Sequence, residues 1–474
     1  MSDASRTRVL LTGASGSMGN EAFLELLRRQ DRYQIRLVLR PSATNKKQFR
    51  RYEGKRGLEI VWGDLTNPRD VLKAVTGVDY VLHAAALISP AADRDPEATW
   101  AANYGSARNL IDAIRQQPRG GDDIRFVFIG SVAQYGDRLP PHEMINVGDP
   151  LKPSVHDYYA LSKCAAESAV IESDLKHWVS MRQTFIAIPN TLSLLDGILF
   201  HQPIEQRIEL ITSRDAGYGL VQCIETNDDF WGRVYNMSGG PACRTSFIDY
   251  LDRVFRMLGI GDYRKVFDRN WFALRNFHCG YYEDSPVLND HLGHFRDSLE
   301  DQLQQLDNSF PKWMKLGASA CPPQLIRLYM KRIAEPLHWV NEGKDSHVNA
   351  FFGSHEAWKK IPQWDAGPHV PRIDDLIPSG NRSGSLPIEA GTDVHAFARS
   401  RGGRCLSVQF IDRASPLRWD CGHGHEFEAS PRLLIEGGYW CPTCSPTLQD
   451  ATGWNYHERV RKDPLLGRFH VLPD

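Results

Sequence analysis

The sequence has no run of about 18 apolar residues, so no helix that could cross a bilayer is expected. It has almost no net charge: 56 Lys and Arg stand against 58 Asp and Glu, a formal charge of −2 over 474 residues. A chain so balanced has no overall field to draw it onto nucleic acid or an anionic membrane. The opening residues Met1-Ser2-Asp3-Ala4-Ser5-Arg6 lack the apolar core of a signal peptide, and a cytoplasmic location is expected. No internal repeat is present. Cysteine is sparse, with nine residues, which fits a reducing compartment. Six are scattered, whereas Cys421, Cys441 and Cys444 cluster.

Hydrophobic residues make up 42% and charged residues 24%, an ordinary globular balance that argues against wholesale disorder. The length predicts two or three domains. Residues 7–12 read as a short apolar strand, a glycine-rich turn follows, and residues 20–30 have helical spacing before a second strand at 35–39. Strand patterns recur at 58–62, 79–84 and 125–130, with a helical stretch at 97–115. That alternation predicts an α/β fold with a doubly wound, Rossmann-type parallel sheet. We expect a nucleotide-binding unit at 1–183, a substrate region at 184–310 and a mostly helical extension at 311–365. A Pro/Gly/Ser-rich linker at 366–395 and a compact last unit at 396–474 would follow.

Residues 12–19 read Thr-Gly-Ala-Ser-Gly-Ser-Met-Gly, placing Gly13, Gly16 and Gly19 in a G-x-x-G-x-x-G turn between strand and helix. Glycine lets the backbone turn tightly and approach a pyrophosphate, whose charge sits at the helix N-terminus. Ser15, Ser17 and Met18 share that turn. An acidic residue ending the second strand would bind a ribose 2′-hydroxyl, and arginine would accommodate a 2′-phosphate. Here the strand ends Leu39-Arg40-Pro41-Ser42, with Lys46 and Lys47 beyond, so NADP is favoured and NAD remains open.

Ser131 ends an apolar strand in Gly130-Ser131-Val132, and Tyr159-Ala160-Leu161-Ser162-Lys163 reads Y-x-x-x-K. With the glycine turn, these residues resemble the extended short-chain dehydrogenase/reductase family (the NAD-dependent epimerase/dehydratase type). Further matches are Gly63-Asp64-Leu65, His83-Ala84-Ala85-Ala86 and Asn103, and the resemblance covers about residues 6–260 and is expected to reach 310. It implies a hydride transfer in which Ser131 holds the reacting oxygen, Tyr159 moves the proton and Lys163 lowers the tyrosine pKa. It also implies that Asp64 and Leu65 meet the adenine, that Ala84 and Ala85 line the cofactor, that Lys163 holds the nicotinamide ribose, and that Asn103 supports the lysine or a relay water.

Departures narrow the activity. The dehydratases of the family carry an acidic pair where this chain has Val132 and Ala133, which argues against dehydration. The asparagine and glycine usual after the catalytic helix of sugar-nucleotide epimerases are missing from Arg182-Gln183-Thr184-Phe185-Ile186-Ala187-Ile188-Pro189. The favoured reading is an NADP-dependent oxidoreductase acting on a carbonyl or alcohol group of a small molecule. Two others stay open: an NAD-retaining epimerase of a sugar or sugar nucleotide, and a cofactor-sensing, nucleic-acid- or partner-binding protein. Arg275, His278 and Tyr282 are candidate substrate contacts, with ordinary packing the equally good alternative. A homodimer through the helix 159–173 is implied by resemblance, unless the extension blocks or replaces it.

Cys441-x-x-Cys444 puts two thiolates on one tight turn, and Cys421 supplies a third. The fourth ligand is His425 or His423. The run Cys421-Gly422-His423-Gly424-His425-Glu426-Phe427 and Trp440-Cys441-Pro442-Thr443-Cys444 resembles a zinc ribbon, whose register selects His425. Four protein ligands leave no open position, so the expected zinc is structural. Residues 396–474 hold ten Lys/Arg and nine Asp/Glu, without the basic stripe a nucleic-acid site would need.

Overall fold

The computed structural model describes residues 6–139, 142, 144–188, 197–364, 393–449 and 454–472. All but the last three residues of the expected linker lie outside them. The first half is a seven-stranded sheet. Its strands are β1 (Thr7–Thr12), β2 (Tyr33–Leu39), β3 (Leu58–Trp62), β4 (Tyr80–His83), β5 (Arg125–Ser131), β6 (His177–Gln183) and β7 (Arg233–Met237), in the order β7-β6-β5-β4-β1-β2-β3. Every neighbouring pair is parallel. The order reverses between β1 and β4, and in such sheets the crevice at that point receives the ligand.

The strands are apolar on both faces because helices cover both sides. Leu10 faces one core with helices Pro68–Val75, Ser106–Arg115 and Tyr158–Ile171. Val9 and Leu11 face the other, against helices Ser17–Arg28 and Ser213–Gln222. We call Ser17–Arg28 α1 and Tyr158–Ile171 α2. The stretch at 97–115 is not one regular helix: a wider turn, Ala101–Gly105, interrupts it and holds Asn103. Such bulges often mark functional sites.

Residues 197–310 pack around Phe200, Phe255, Phe267, Trp271 and Phe272. Residues 312–359 are helical in five short pieces, and Trp339, Phe351 and Phe352 seat them against Ala273 and Leu274. Near the end, strands Arg404–Cys405, Leu417–Asp420 and Glu426–Ala429 form a small antiparallel sheet. Its buried Trp419, edge-on to Phe397 and Trp440, belongs to the same apolar cluster as Ala166, Val170 and Trp178. The last unit is therefore continuous with the core beneath α2. No helix among the described residues is long and apolar enough to cross a membrane.

Candidate active site and metal centre

At the end of β1 the backbone reaches Gly13 with φ +79°, a region that glycine enters freely. A Cβ there would lie 2.6 Å from the Ala85 nitrogen, and one on Gly19 would lie 2.1 Å from the Gly13 carbonyl oxygen. These two contacts explain the glycines: one admits the β4 exit, the other lets α1 start against β1. The α1 N-cap is Gly16, without a side-chain cap and without an acid in the first turn. The first amides of α1 are thus free of side-chain partners, as an anion at a helix N-terminus requires. Ser15 and Gly16 are exposed at the turn, Ser17 is half-buried and Met18 is buried.

The other candidates gather along the same edge. Arg40 is exposed just past β2, and Asp64 and Leu65 follow β3. Asp64 Oδ1 accepts from the Thr66 amide and hydroxyl, both at 2.9 Å. Ala84 and Ala85 follow β4, where the Ala85 amide donates to Thr12 Oγ1. Asn103 shares no hydrogen bond with Lys163 among the described residues. Its amide group donates to Ser162 Oγ at 2.9 Å and to the Leu87 carbonyl at 3.0 Å, so it ties the β4 exit to α2.

Ser131 ends β5 and Tyr159 and Lys163 lie on α2, whose N-cap is Asp157. Ser131 Oγ accepts from the Ala133 amide at 3.2 Å, and the Ser131 side chain lies near enough to the Tyr159 hydroxyl to pull its pKa down. Lys163 donates to the Ile129 carbonyl at 2.7 Å, with its ammonium 4.9 Å from the Phe128 ring centre. Burial pushes the Tyr159 hydroxyl up to about 12, against the pull of the neighbouring Ser131 side chain. Burial brings Lys163 down to about 8, and the Glu167 carboxylate opposes that fall. The tyrosine is thus raised here by burial, where sequence reasoning expected the lysine to lower it.

Sequence reasoning missed the brace behind this pair. Glu167, one turn beyond Lys163, is fully buried. It accepts from Gln134 Nε2 (2.7 Å), the Ser180 hydroxyl (2.6 Å) and Arg182 Nη2 (2.7 Å), and the Tyr439 hydroxyl lies 2.9 Å away. Gln134 in turn accepts from the Ser131 amide at 2.7 Å. Arg182 also donates to the Tyr135 hydroxyl and to the Gly437 carbonyl. The available signal was the i+4 spacing of Lys163 and Glu167, which puts both on the face α2 buries. Of the middle-segment candidates, His278 bonds Asp157 at 3.1 Å, and Tyr282 is buried with its hydroxyl donating to the Arg182 carbonyl.

Cys421, His425, Cys441 and Cys444 bring one ligand atom each within 4.8 Å of one another. Cys421 Sγ lies 3.8 Å from Cys444 Sγ, and His425 Nδ1 lies 3.2 Å from Cys444 Sγ and 3.7 Å from Cys441 Sγ. Zinc–sulfur bonds of about 2.3 Å in a tetrahedron give sulfur–sulfur edges of about 3.8 Å. The donor set and its spacing fit that ion, and His425 rather than His423 joins the group.

Residues 9–190 match the NAD dependent epimerase/dehydratase family. Over 273 residues the chain is 27% identical to D-erythronate dehydrogenase of Cupriavidus necator, covering 52% of this chain and 81% of the relative. It is 30% identical over 119 residues to sanguinarine reductase of Eschscholzia californica, covering 25% of this chain and 41% of that one. The fold resembles dTDP-glucose 4,6-dehydratase of Streptomyces venezuelae, solved with NAD bound, at TM-score 0.53 and 18% identity, covering 65% of this chain and 97% of that structure. UDP-glucuronic acid 4-epimerase of Bacillus cereus, solved in complex with NAD, gives TM-score 0.50 and 18% identity, covering 65% of this chain and 99% of that one. With the sheet order and the glycine turn, these matches show that residues 9–190 are similar to the NAD dependent epimerase/dehydratase family and support an NAD(P)-dependent oxidoreductase.

Proposed function

We propose that the protein transfers hydride between NADP and a hydroxyl or carbonyl carbon of a small polyhydroxy acid or related compound. The observation that carries this reading is the convergence of Ser131, at the end of β5, with Tyr159 and Lys163, one turn apart on α2. The bound nicotinamide supplies or accepts the hydride. Ser131 holds the reacting oxygen and Tyr159 gives or takes its proton. Lys163, charged at neutral pH, favours the phenolate when the proton leaves. The α1 amides and Ser15–Gly19 receive the pyrophosphate. Exposed Arg40, with Lys46 and Lys47 beyond it, supports a 2′-phosphate and hence NADP over NAD. The name of the Cupriavidus relative supports an acid substrate. Val132 and Ala133, both buried and apolar, offer no acid for a dehydration. The four-ligand cluster holds a structural zinc. The same packing leaves α2 with this chain's own C-terminal unit against Glu167 and Glu172, which disfavours a dimer through that helix.

The test is binding of NADPH and NADH to the purified chain, followed by turnover of Tyr159→Phe. Exchangeable NADPH held more tightly than NADH is expected, with turnover of the variant lowered by about 10²–10⁴-fold and cofactor affinity kept. Cofactor that co-purifies as NAD and does not exchange would replace the dehydrogenase with the epimerase reading. Full activity in the variant would overturn the role of Tyr159.

A further inference from the structure

A cavity of about 80 Å³ lies beside the loop that enters α2, lined in part by Asp137, Lys152, Ser154, Arg275, His457 and His470. A single water needs only about 10–15 Å³, so this space admits a larger guest. Several stretches of chain build it. Asp137 follows Ser131 by six residues, and Lys152 to Val155 lead into Asp157, the α2 N-cap. Arg275 and Asn276 come from the middle segment. Asn349 and Ala350 of the helical extension add to the lining, and the last wall is the chain's tail, which is held from two sides. The Tyr456 hydroxyl donates to the Pro153 carbonyl at 2.7 Å, and Asp463 pairs with buried Arg401 at 2.7 Å.

The polar groups here do not balance. Asp137 is the one carboxylate on the wall, and it is already engaged: one oxygen takes the Lys152 ammonium and the other accepts the Asn276 amide at 2.8 Å. Arg275 has no side-chain hydrogen bond among the described residues, and only its backbone amide is engaged, with the Phe351 carbonyl. The Ser154 hydroxyl is buried and without a partner. His457 and His470 satisfy each other at 2.9 Å. The nearest carboxylate to the half-buried Arg275 guanidinium, Asp137, is already taken up by Lys152 and the Asn276 amide. Such an under-compensated cation and a buried hydroxyl without a partner are both costly in a finished interior. Both costs disappear if an oxyanion sits between them. A planar guanidinium fork binds carboxylate or phosphate through two hydrogen bonds.

We propose that this cavity binds a small oxyanion, a carboxylate or phosphate group, held by Arg275 and Ser154 with Lys152 beside it. The tail that closes it, residues 454–471, lies outside the matched family region. Two sources share this chemistry. The oxyanion is the acidic end of the substrate, which extends the function proposed above, or it is a free anion bound next to the catalytic helix. Trp454, on the cavity wall, packs edge-on to Tyr158 at 5.9 Å, one residue from Tyr159.

The experiment is calorimetric titration of the full chain with inorganic phosphate and with D-erythronate, at constant ionic strength and without cofactor. At least one should bind saturably at one site per chain. Arg275→Met should weaken that binding by at least about tenfold, since it removes one half of a buried charge pair. Ser154→Ala should weaken it by a few-fold, and serves if Arg275→Met fails the circular-dichroism check for folding. If D-erythronate competes with phosphate and Arg275→Met raises KM for acid substrates at constant kcat, the site seats the substrate. If phosphate binds and KM is unchanged, the site takes a free anion. The proposal falls if neither anion binds saturably, or if the variants bind as the parent does. Because binding is read without turnover, its failure is separate from failure of the proposed hydride transfer.

Discussion

Two buried charge clusters flank the stretch that carries Ser131 and Tyr159, and they are built oppositely. On one side Glu167 and Arg182 are both fully buried, and the contacts of Gln134, Ser180, Tyr135, Tyr439 and Gly437 complete the set around them. On the other side Asp137 and Lys152 pair, while Arg275 and Ser154 are left over. A closed network of this kind fixes a structure, because every member would be stranded by the loss of another. An unclosed one in a cavity is a place where a guest completes the set. The closed side is supplied by the segment between the candidate metal ligands His425 and Cys441, since Gly437 and Tyr439 lie just before Cys441. The turn carrying Cys441 thereby reaches the Ser131 amide through Tyr439, Glu167 and Gln134.

The largest break in that comparison comes from the metal. Structural zinc contributes about 10–16 kcal/mol of apparent binding free energy in small peptides. Prolonged chelation, or Cys441→Ser, should therefore loosen residues 417–444. Hydrogen exchange read by mass spectrometry should then rise in that segment and in α2, with β1–β3 still protected. Metal analysis should return about one zinc per chain beforehand. Unchanged exchange after complete metal removal would show that the brace stands without the ion.

Next in size is Glu167→Gln. It strands the Arg182 guanidinium in the interior, and breaking a buried pair costs about 3–5 kcal/mol, measurable by urea unfolding. It also has a pH consequence. Glu167 is what holds the Lys163 pKa up against burial, at about 8. In the proposed mechanism the lysine is protonated when it favours the tyrosine phenolate, so activity should fall as pH rises past that value. Without the carboxylate the lysine loses its proton at lower pH. The alkaline limb of kcat/KM should shift downward in the variant, and an unmoved limb would assign it to another group.

Much of the first half was legible because buried parallel strands are written as unbroken apolar runs. Val9-Leu10-Leu11 and Phe126-Val127-Phe128 need no partner information to be read as strands. The glycine turn and the Cys421/His425/Cys441/Cys444 spacing were legible because geometry restricts those residue types so strongly. The middle was not. Its strands are two or three residues long, as in Arg207–Glu209 paired with Arg244–Ser246, and exist only through tertiary pairing. The wider turn at Ala101–Gly105 was read through as helix, since its apolar spacing matches a helix on both sides. The brace was hidden because it joins residues about 270 positions apart, Glu167 and Tyr439. No local pattern reports that distance.

The smallest change sharpens the comparison most. Tyr439→Phe removes one hydroxyl, near the Glu167 carboxylate and the Cys164 carbonyl (2.8 Å), and leaves ring packing, zinc ligands and the Glu167–Arg182 pair in place. Loss of one hydrogen bond to a buried carboxylate costs about 1.5–3 kcal/mol. If Tyr439 only packs the last unit onto α2, stability should drop by that amount with kcat unchanged. If it positions the site, the loss reaches Gln134 and the Ser131 amide, and kcat should fall several-fold while KM and zinc content stay constant. The chain of contacts favours the second outcome, because Gln134 Nε2 keeps only one strong partner, Glu167 Oε2, and the Tyr439 oxygen is its other neighbour at 3.4 Å. The opposite cavity shares no hydrogen bond with Tyr439, so anion binding by the same variant should match that of the parent chain.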